Sequence, residues 1–143
     1  MALSFVCAMD WLTPTQRSRN MRAIRAKHTK PELAVRKALH SLGFRFRLHA
    51  VGLPGKPDIV MRRHGVVIQV KGCFWHGHRC LKGRVPGGNR AYWLKKIQGN
   101  KSRDQRNERC LRRMGWRVKT LWECNIRRWK REQLEAKLKR LLS

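Results

Sequence analysis

Four residues able to bind a soft metal ion, Cys73, His76, His78 and Cys80, fall within one short stretch, and Cys124 lies far downstream. If these residues share one ion, a loop from the middle of the chain must fold back onto a late segment. Few folds meet that constraint. Cysteine and histidine at this spacing, with a remote cysteine, supply the closed tetrahedral set of structural Zn²⁺. Cys73, His78, Cys80 and Cys124 make one such set. His76 can replace His78 in it, because spacing does not separate the two. Without a metal, the same residues are free cysteines beside incidental histidines.

Charge limits the partners. Thirty-five Lys and Arg face eight Asp and Glu, for a formal net charge of +27 over 143 residues. Such self-repulsion disfavours a compact chain unless a polyanion is the partner, and binding to nucleic acid gains from release of condensed counterions. A non-enzymatic basic protein of ribosomal type meets the same condition, so charge says nothing about chemistry. No apolar run approaches the roughly 20 residues of a membrane span. The mildly apolar segment 1–9 lacks a basic flank and makes a poor signal peptide. Residues 1–12 read as a disordered leader. An odd cysteine count without a secretion signal points to a reduced, cytoplasmic protein, associated with the nucleoid if the source is bacterial. The length fits one domain, 13–143.

Residues 13–27 read as a basic arm or helix. Thr29-Lys30-Pro31-Glu32 has capping-box spacing with Pro in the first turn, and the helix it opens runs to Gly43. Residues 44–48 alternate apolar and basic, as a half-buried strand does. Asp58–Met61 and Val66–Val70, joined by Arg63-His64-Gly65, read as a hairpin of buried strands. A polar helix from Tyr92 to about Arg113 follows, then a strand over 116–122. The last helix carries Leu134, Leu138 and Leu141 on one face. The order is helix, three strands, helix, strand, helix: a mixed α/β domain around one small sheet flanked by helices.

Within that frame, Pro57-Asp58 and Gln69-Val70-Lys71 bring a carboxylate and polar groups towards one end of the hairpin. Mg²⁺ can be held there to assist attack on a phosphodiester. A turn-terminating aspartate explains Asp58 equally well in local terms. Glu32 is a second candidate for the same ion, although a capping box also accounts for it. Phe74 and Trp75 on a glycine-flanked loop, with Trp93, are suited to wedging between base steps, or to covering the zinc site. Arg19, Arg22 and Arg25 read as phosphate contacts, which position without specifying sequence.

The stretches TQRSRNMRAI, LPGKPDIV, VVIQVKGCFWHGHRC, YWLKKI, NKSRDQR and GWRVKTLWEC, in that order, resemble the very-short-patch repair (Vsr) endonucleases over about residues 13–126. The resemblance implies the restriction-endonuclease-like fold and nicking of one DNA strand beside a T:G mismatch left by 5-methylcytosine deamination. It implies that Asp58 and the main-chain carbonyl of Val70 bind Mg²⁺, that Glu32 lies near the active site, and that His76 is the catalytic histidine. It places the zinc ligands on Cys73, His78, Cys80 and Cys124, and the DNA wedge on Phe74, Trp75 and Trp93. The segment containing Arg19, Arg22 and Arg25 resembles an arm that embraces DNA. Lys71 departs from the family, which often has His or Asp there. It suits steadying the attacked phosphate or the nucleophilic water, since a lysine accepts protons near neutrality only with a much lowered pKa. The expected protein is a monomeric Mg²⁺- and Zn²⁺-containing DNA repair hydrolase acting on mismatched duplex, with mismatch-repair proteins as further partners. The rival readings are a nuclease of the same fold with another DNA target, and a non-catalytic zinc DNA-binding module.

Overall fold

The computed structural model describes residues 29–143. Helix α1 spans Lys30–Ser41, where Thr29 Oγ1 accepts from the Glu32 N–H at 3.4 Å and Pro31 sits in the first turn. It ends at Gly43, whose φ of +81° is a conformation that glycine tolerates and other residues resist. The Phe44 N–H then turns back to the Leu39 carbonyl at 3.0 Å.

Four strands follow, β1 (Arg47–Leu48), β2 (Ile59–Met61), β3 (Val66–Lys71) and, after helix α2 (Arg90–Arg113), β4 (Arg117–Trp122). They form one sheet in the order β1-β2-β3-β4. The β1–β2 and β2–β3 pairs are antiparallel, and β3–β4 is parallel with Val66 opposite Arg117 and Lys71 opposite Trp122. The parallel pair requires a crossover, which α2 supplies. Two further helices, α3 (Glu123–Arg128) and α4 (Arg131–Leu142), close the chain.

Alternation along β3 gives the sheet two covered faces. Val66 and Ile68 join Val35 and Leu39 of α1, Ile126 of α3, and Leu134, Leu138 and Leu142 of α4 in the main core. Val67 points the other way, to Val60 and to Leu111 of α2. A strand buried on both faces reads as a continuous apolar run, as Val66-Val67-Ile68 does.

The expected mixed α/β domain is present, with three local differences. The ladder of β1 covers two residues rather than 44–48. Exposure still alternates over that stretch, with Phe44 and Phe46 half-buried and Arg45 and Arg47 exposed. The neighbouring β2 is three residues long, so it offers no partner to the start of the segment. Helix α3 has no counterpart in the sequence pattern; at six residues it is shorter than the periodicity that marks a helix. On α4 the third buried leucine is Leu142 rather than Leu141, which is partly buried. Among the described residues no helix is long and apolar enough to cross a membrane. The leader 1–12 and the basic arm 13–27, with Arg19, Arg22 and Arg25, lie outside the described residues.

Leu138 has no exposed surface and packs between α1 and the sheet. Leu138→Ala is expected to lower unfolding stability by about 2–5 kcal/mol, through lost burial and the cavity left behind. Urea denaturation monitored by tryptophan fluorescence measures it.

Candidate active site and metal clusters

The turn after Pro57 delivers Asp58 to the start of β2, and β3 ends alongside it. Asp58 Oδ2 accepts from the Val70 N–H at 2.8 Å, which fixes the carboxylate against the end of β3. Glu32, on the first turn of α1, is 2% exposed. Its Oε1 accepts from the Arg36 guanidinium one turn on, and lies 2.7 Å from His49 Nε2. His49 Nε2 is in turn 4.0 Å from Asp58 Oδ1. One donor atom from each of Glu32, His49 and Asp58 falls within 4.8 Å of the others. Burial raises the Asp58 carboxyl above its ordinary pKa; the Val70 N–H opposes this, and the Glu32 charge adds to it. Two carboxylates crowded in this way favour a cation between them.

A second polar group forms where β3 leaves the sheet. His76 Nδ1 is 2.5 Å from Asp104 Oδ2, and Lys71 Nζ is 3.6 Å from the same oxygen. A carboxylate only accepts, so Nδ1 carries the hydrogen and Nε2 of a neutral His76 keeps its lone pair. Burial alone would raise the Asp104 carboxyl, but the hydrogen bond and charge of His76, with Lys71, outweigh it and hold the group below its ordinary pKa. Lys71 also lies 5.9 Å from the Trp122 ring centroid. Gln69, two residues earlier on β3, is buried, and its Oε1 has no hydrogen-bond partner among the described residues. Buried acceptors of that kind are rare.

The third group is the Cys/His cluster. Cys73, His78, Cys80 and Cys124 each offer a donor atom within 4.8 Å of the others. Cys124 Sγ is 3.6 Å from His78 Nδ1. Tetrahedral Zn²⁺ would separate its sulfurs by about 3.8 Å and a sulfur from a nitrogen by about 3.5 Å, so the set fits zinc. His78 is the histidine in the cluster, while His76 belongs to Asp104; the ambiguity left by spacing is resolved by which way the loop turns. The His78 N–H bonds to the Cys73 carbonyl at 2.9 Å, and its ring stacks on Trp122 at 4.2 Å. Gly83 is required beside it, because a Cβ there would lie 1.8 Å from the His78 carbonyl oxygen. The thiols also fit a cation. Burial, with the neighbouring sulfurs of Cys80 and Cys124 adding, pushes Cys73 up to about 12 against the opposing Cys124 N–H. Cys80, despite some desolvation, is held down at about 7 by hydrogen bonds from His78, Cys73 and the Gly83 and Lys82 N–H groups.

The aromatic residues stand on the same loop. Phe74 and Trp93 are each 2% exposed and form a small cluster with Ile97, against which Trp75 packs partly buried. The three rings meet edge to face at 5.0–6.0 Å. Phe74 is therefore better placed for packing than its glycine-flanked loop suggests, because the loop folds down onto the first turns of α2.

Two residues of this site, Asp104 and His49, were not singled out from the sequence. Asp104 carried a signal, being one of only eight acids in a very basic chain. His49 had none, since only strand pairing places it beside Asp58.

Residues 9–82, just over half of the chain, match the family described as DNA mismatch endonuclease Vsr. The chain belongs to the Vsr family. Among similar proteins is a type II nicking enzyme of Xanthomonas oryzae, 47% identical over 93% of this chain and 96% of its own length. Another type II nicking enzyme, from Neisseria meningitidis, is 44% identical over 82% of this chain and 84% of its own. The DNA mismatch endonuclease Vsr of Escherichia coli is 41% identical over 87% of this chain and 80% of its own. This Vsr-family chain is thus a DNA endonuclease, a hydrolase, and its Cys₃His cluster is consistent with a zinc site.

Cys124→Ser is expected to reduce bound zinc from one equivalent to well below it and to destabilise the whole domain, since metal binding and folding are coupled. Elemental analysis and thermal unfolding of the same preparation check this. A folded variant that retains full zinc would contradict it.

Proposed function

We propose that the chain nicks one strand of duplex DNA at T:G mismatches arising from 5-methylcytosine deamination, with Mg²⁺ as the catalytic ion, and so initiates very short patch repair. The observation that supports this best is the meeting of Glu32 and Asp58 at the sheet end beside Lys71, His76 and Asp104. In this reading Asp58 and the Val70 carbonyl are the Mg²⁺ ligands, with Glu32 beside them. Mg²⁺ commonly takes only one or two carboxylates. Bound there, it would supply positive charge against the attacked phosphodiester and make water a better nucleophile.

The side chains account for the rest. Water adds to phosphorus and the P–O bond to one sugar oxygen breaks, that oxygen leaving as an alcohol with a proton from solvent. His76, with Nδ1–H held by Asp104, uses Nε2 to accept the proton that water loses. The Lys71 ammonium steadies a phosphate oxygen. Arg19, Arg22 and Arg25 hold backbone phosphates, which makes binding steeply salt-dependent. Of the three aromatic residues Phe74, Trp75 and Trp93, the less buried Trp75, with the other two packed against it, enters the duplex at the mispaired step, where unstacking costs least. Zn²⁺ on Cys73, His78, Cys80 and Cys124 is structural. The protein acts as a cytoplasmic monomer.

A second reading is nicking at a site chosen by sequence rather than by mismatch. It is favoured by the names of the Xanthomonas and Neisseria relatives. A panel of T:G, other mispaired and fully paired duplexes, with and without Mg²⁺, separates the two. The mismatch reading expects at least about tenfold preference for T:G, and equal nicking of paired duplex selects the second. Asp58→Ala is expected to abolish nicking while leaving duplex affinity nearly unchanged. His76→Ala should slow it by roughly 10²–10⁴-fold, the usual contribution of an acid–base group.

The double change Phe74→Ala, Trp75→Ala should remove the T:G preference, since unstacking a step costs about a few kcal/mol and the wedge supplies it. A zinc-loaded, folded double variant that still prefers T:G would rule out the wedge.

A further inference from the structure

We propose that His49 is a direct ligand of the active-site metal, so that Glu32, His49 and Asp58 form a mixed nitrogen–oxygen site that prefers Mn²⁺ to Mg²⁺. The proposal rests on the reading above that Asp58 holds a divalent cation, and it changes which cation the site selects.

The spacing is that of ligands around one ion. An octahedral ion with bonds of about 2.1 Å places adjacent ligand atoms about 3.0 Å apart and opposite ones about 4.2 Å apart. His49 Nε2 lies 2.7 Å from Glu32 Oε1 and 4.0 Å from Asp58 Oδ1, close to one adjacent and one opposite separation. The side chains are held there from several directions. The His49 N–H bonds to the Asp58 carbonyl at 3.1 Å, so the residue leaving β1 is tied to the residue entering β2. To make that bend His49 adopts φ +44°, a left-handed conformation uncommon outside glycine. Backbone strain of this sort is found where a side chain must be aimed. The Arg36 guanidinium, one turn along the same helix, holds the same Glu32 oxygen, Oε1. The side chains of His49 and Glu32 are only 12% and 2% exposed, so an ion between them would be largely shielded from water.

The chemistry sets the preference. Mg²⁺ binds oxygen and keeps several waters, whereas imidazole suits first-row transition ions. Replacing one oxygen donor by a ring nitrogen therefore costs Mg²⁺ affinity more than it costs Mn²⁺ affinity. A histidine that only oriented Glu32 through a hydrogen bond would affect both ions alike.

The test uses the zinc-loaded full chain. Titration calorimetry gives the affinities for Mn²⁺ and Mg²⁺, and electron spin-echo modulation of the Mn²⁺ form reports any coordinated ¹⁴N. Wild type is expected to bind Mn²⁺ at least about tenfold more tightly than Mg²⁺, with imidazole ¹⁴N modulation that survives His76→Ala. In His49→Gln the modulation should vanish, and the Mn²⁺-over-Mg²⁺ ratio should fall by on the order of tenfold. No ¹⁴N modulation in wild type, modulation that persists in His49→Gln, or an unchanged ratio would each overturn the proposal. The wild-type measurements remain decisive even if His49→Gln folds poorly. Binding of either ion that is undiminished by Asp58→Ala would instead overturn the underlying assignment of the metal to Asp58.

Discussion

The parallel pairing of β3 with β4 and the Cys₃His cluster beyond it form the constraint on which the site depends. Lys71 lies opposite Trp122 in the ladder, so Cys73 and Cys124 each stand two residues past the same paired position. One ion can then join the loop leaving β3 to the start of α3. The joined loop is the one that carries His76 and the aromatic residues, while Lys71 is the last residue of the strand before it. The loop is also held by Phe74 and Trp75, which pack on the first turns of α2. Metal ligation there would add to that burial in offsetting the loop's ordering entropy.

Around this closed sheet end the charge distribution acquires a purpose. The protein is overwhelmingly basic, yet three of its eight acids, Glu32, Asp58 and Asp104, surround the end of β3. Within a chain whose charge favours a polyanionic partner, these three acids make a local negative centre. The arrangement has a cost in stability. Glu32 and Asp58 repel each other in partial burial, and Asp58 is raised in pKa as a result of burial first and of Glu32 second. Arg36 and His49 offset part of that repulsion, as Lys71 and His76 do for Asp104. Conflict of this kind, retained in a fold whose other parts agree with local propensity, is characteristic of functional sites.

Much of the fold was legible because it was written locally. Thr29 and Pro31 announced α1, Gly43 ended it, and the apolar runs 59–61 and 66–68 marked strands buried on both faces. The Cys/His spacing narrowed the metal cluster to two choices, the family resemblance pointed to His78, and the path of the loop places His78 rather than His76 in the cluster. What escaped was set by long-range pairing. The shortness of β2 limits β1 to two ladder residues, and that same pairing brings His49 to Asp58. Asp104 reaches His76 only because α2 crosses the sheet on the side opposite α1. Phe74 found a small core of its own with Trp93 and Ile97, which no period in its loop could have signalled.

The Cys₃His cluster is expected to hold one zinc ion through three sulfurs and one nitrogen, which closes the sheet end and takes no part in the chemistry. X-ray absorption at the zinc edge of the full chain, alone and with mismatched duplex and Mg²⁺, tests it directly. Three sulfurs at about 2.3 Å and one nitrogen at about 2.0 Å are expected, unchanged when DNA and Mg²⁺ are added. Fewer sulfurs, or an oxygen entering the shell when DNA binds, would contradict it.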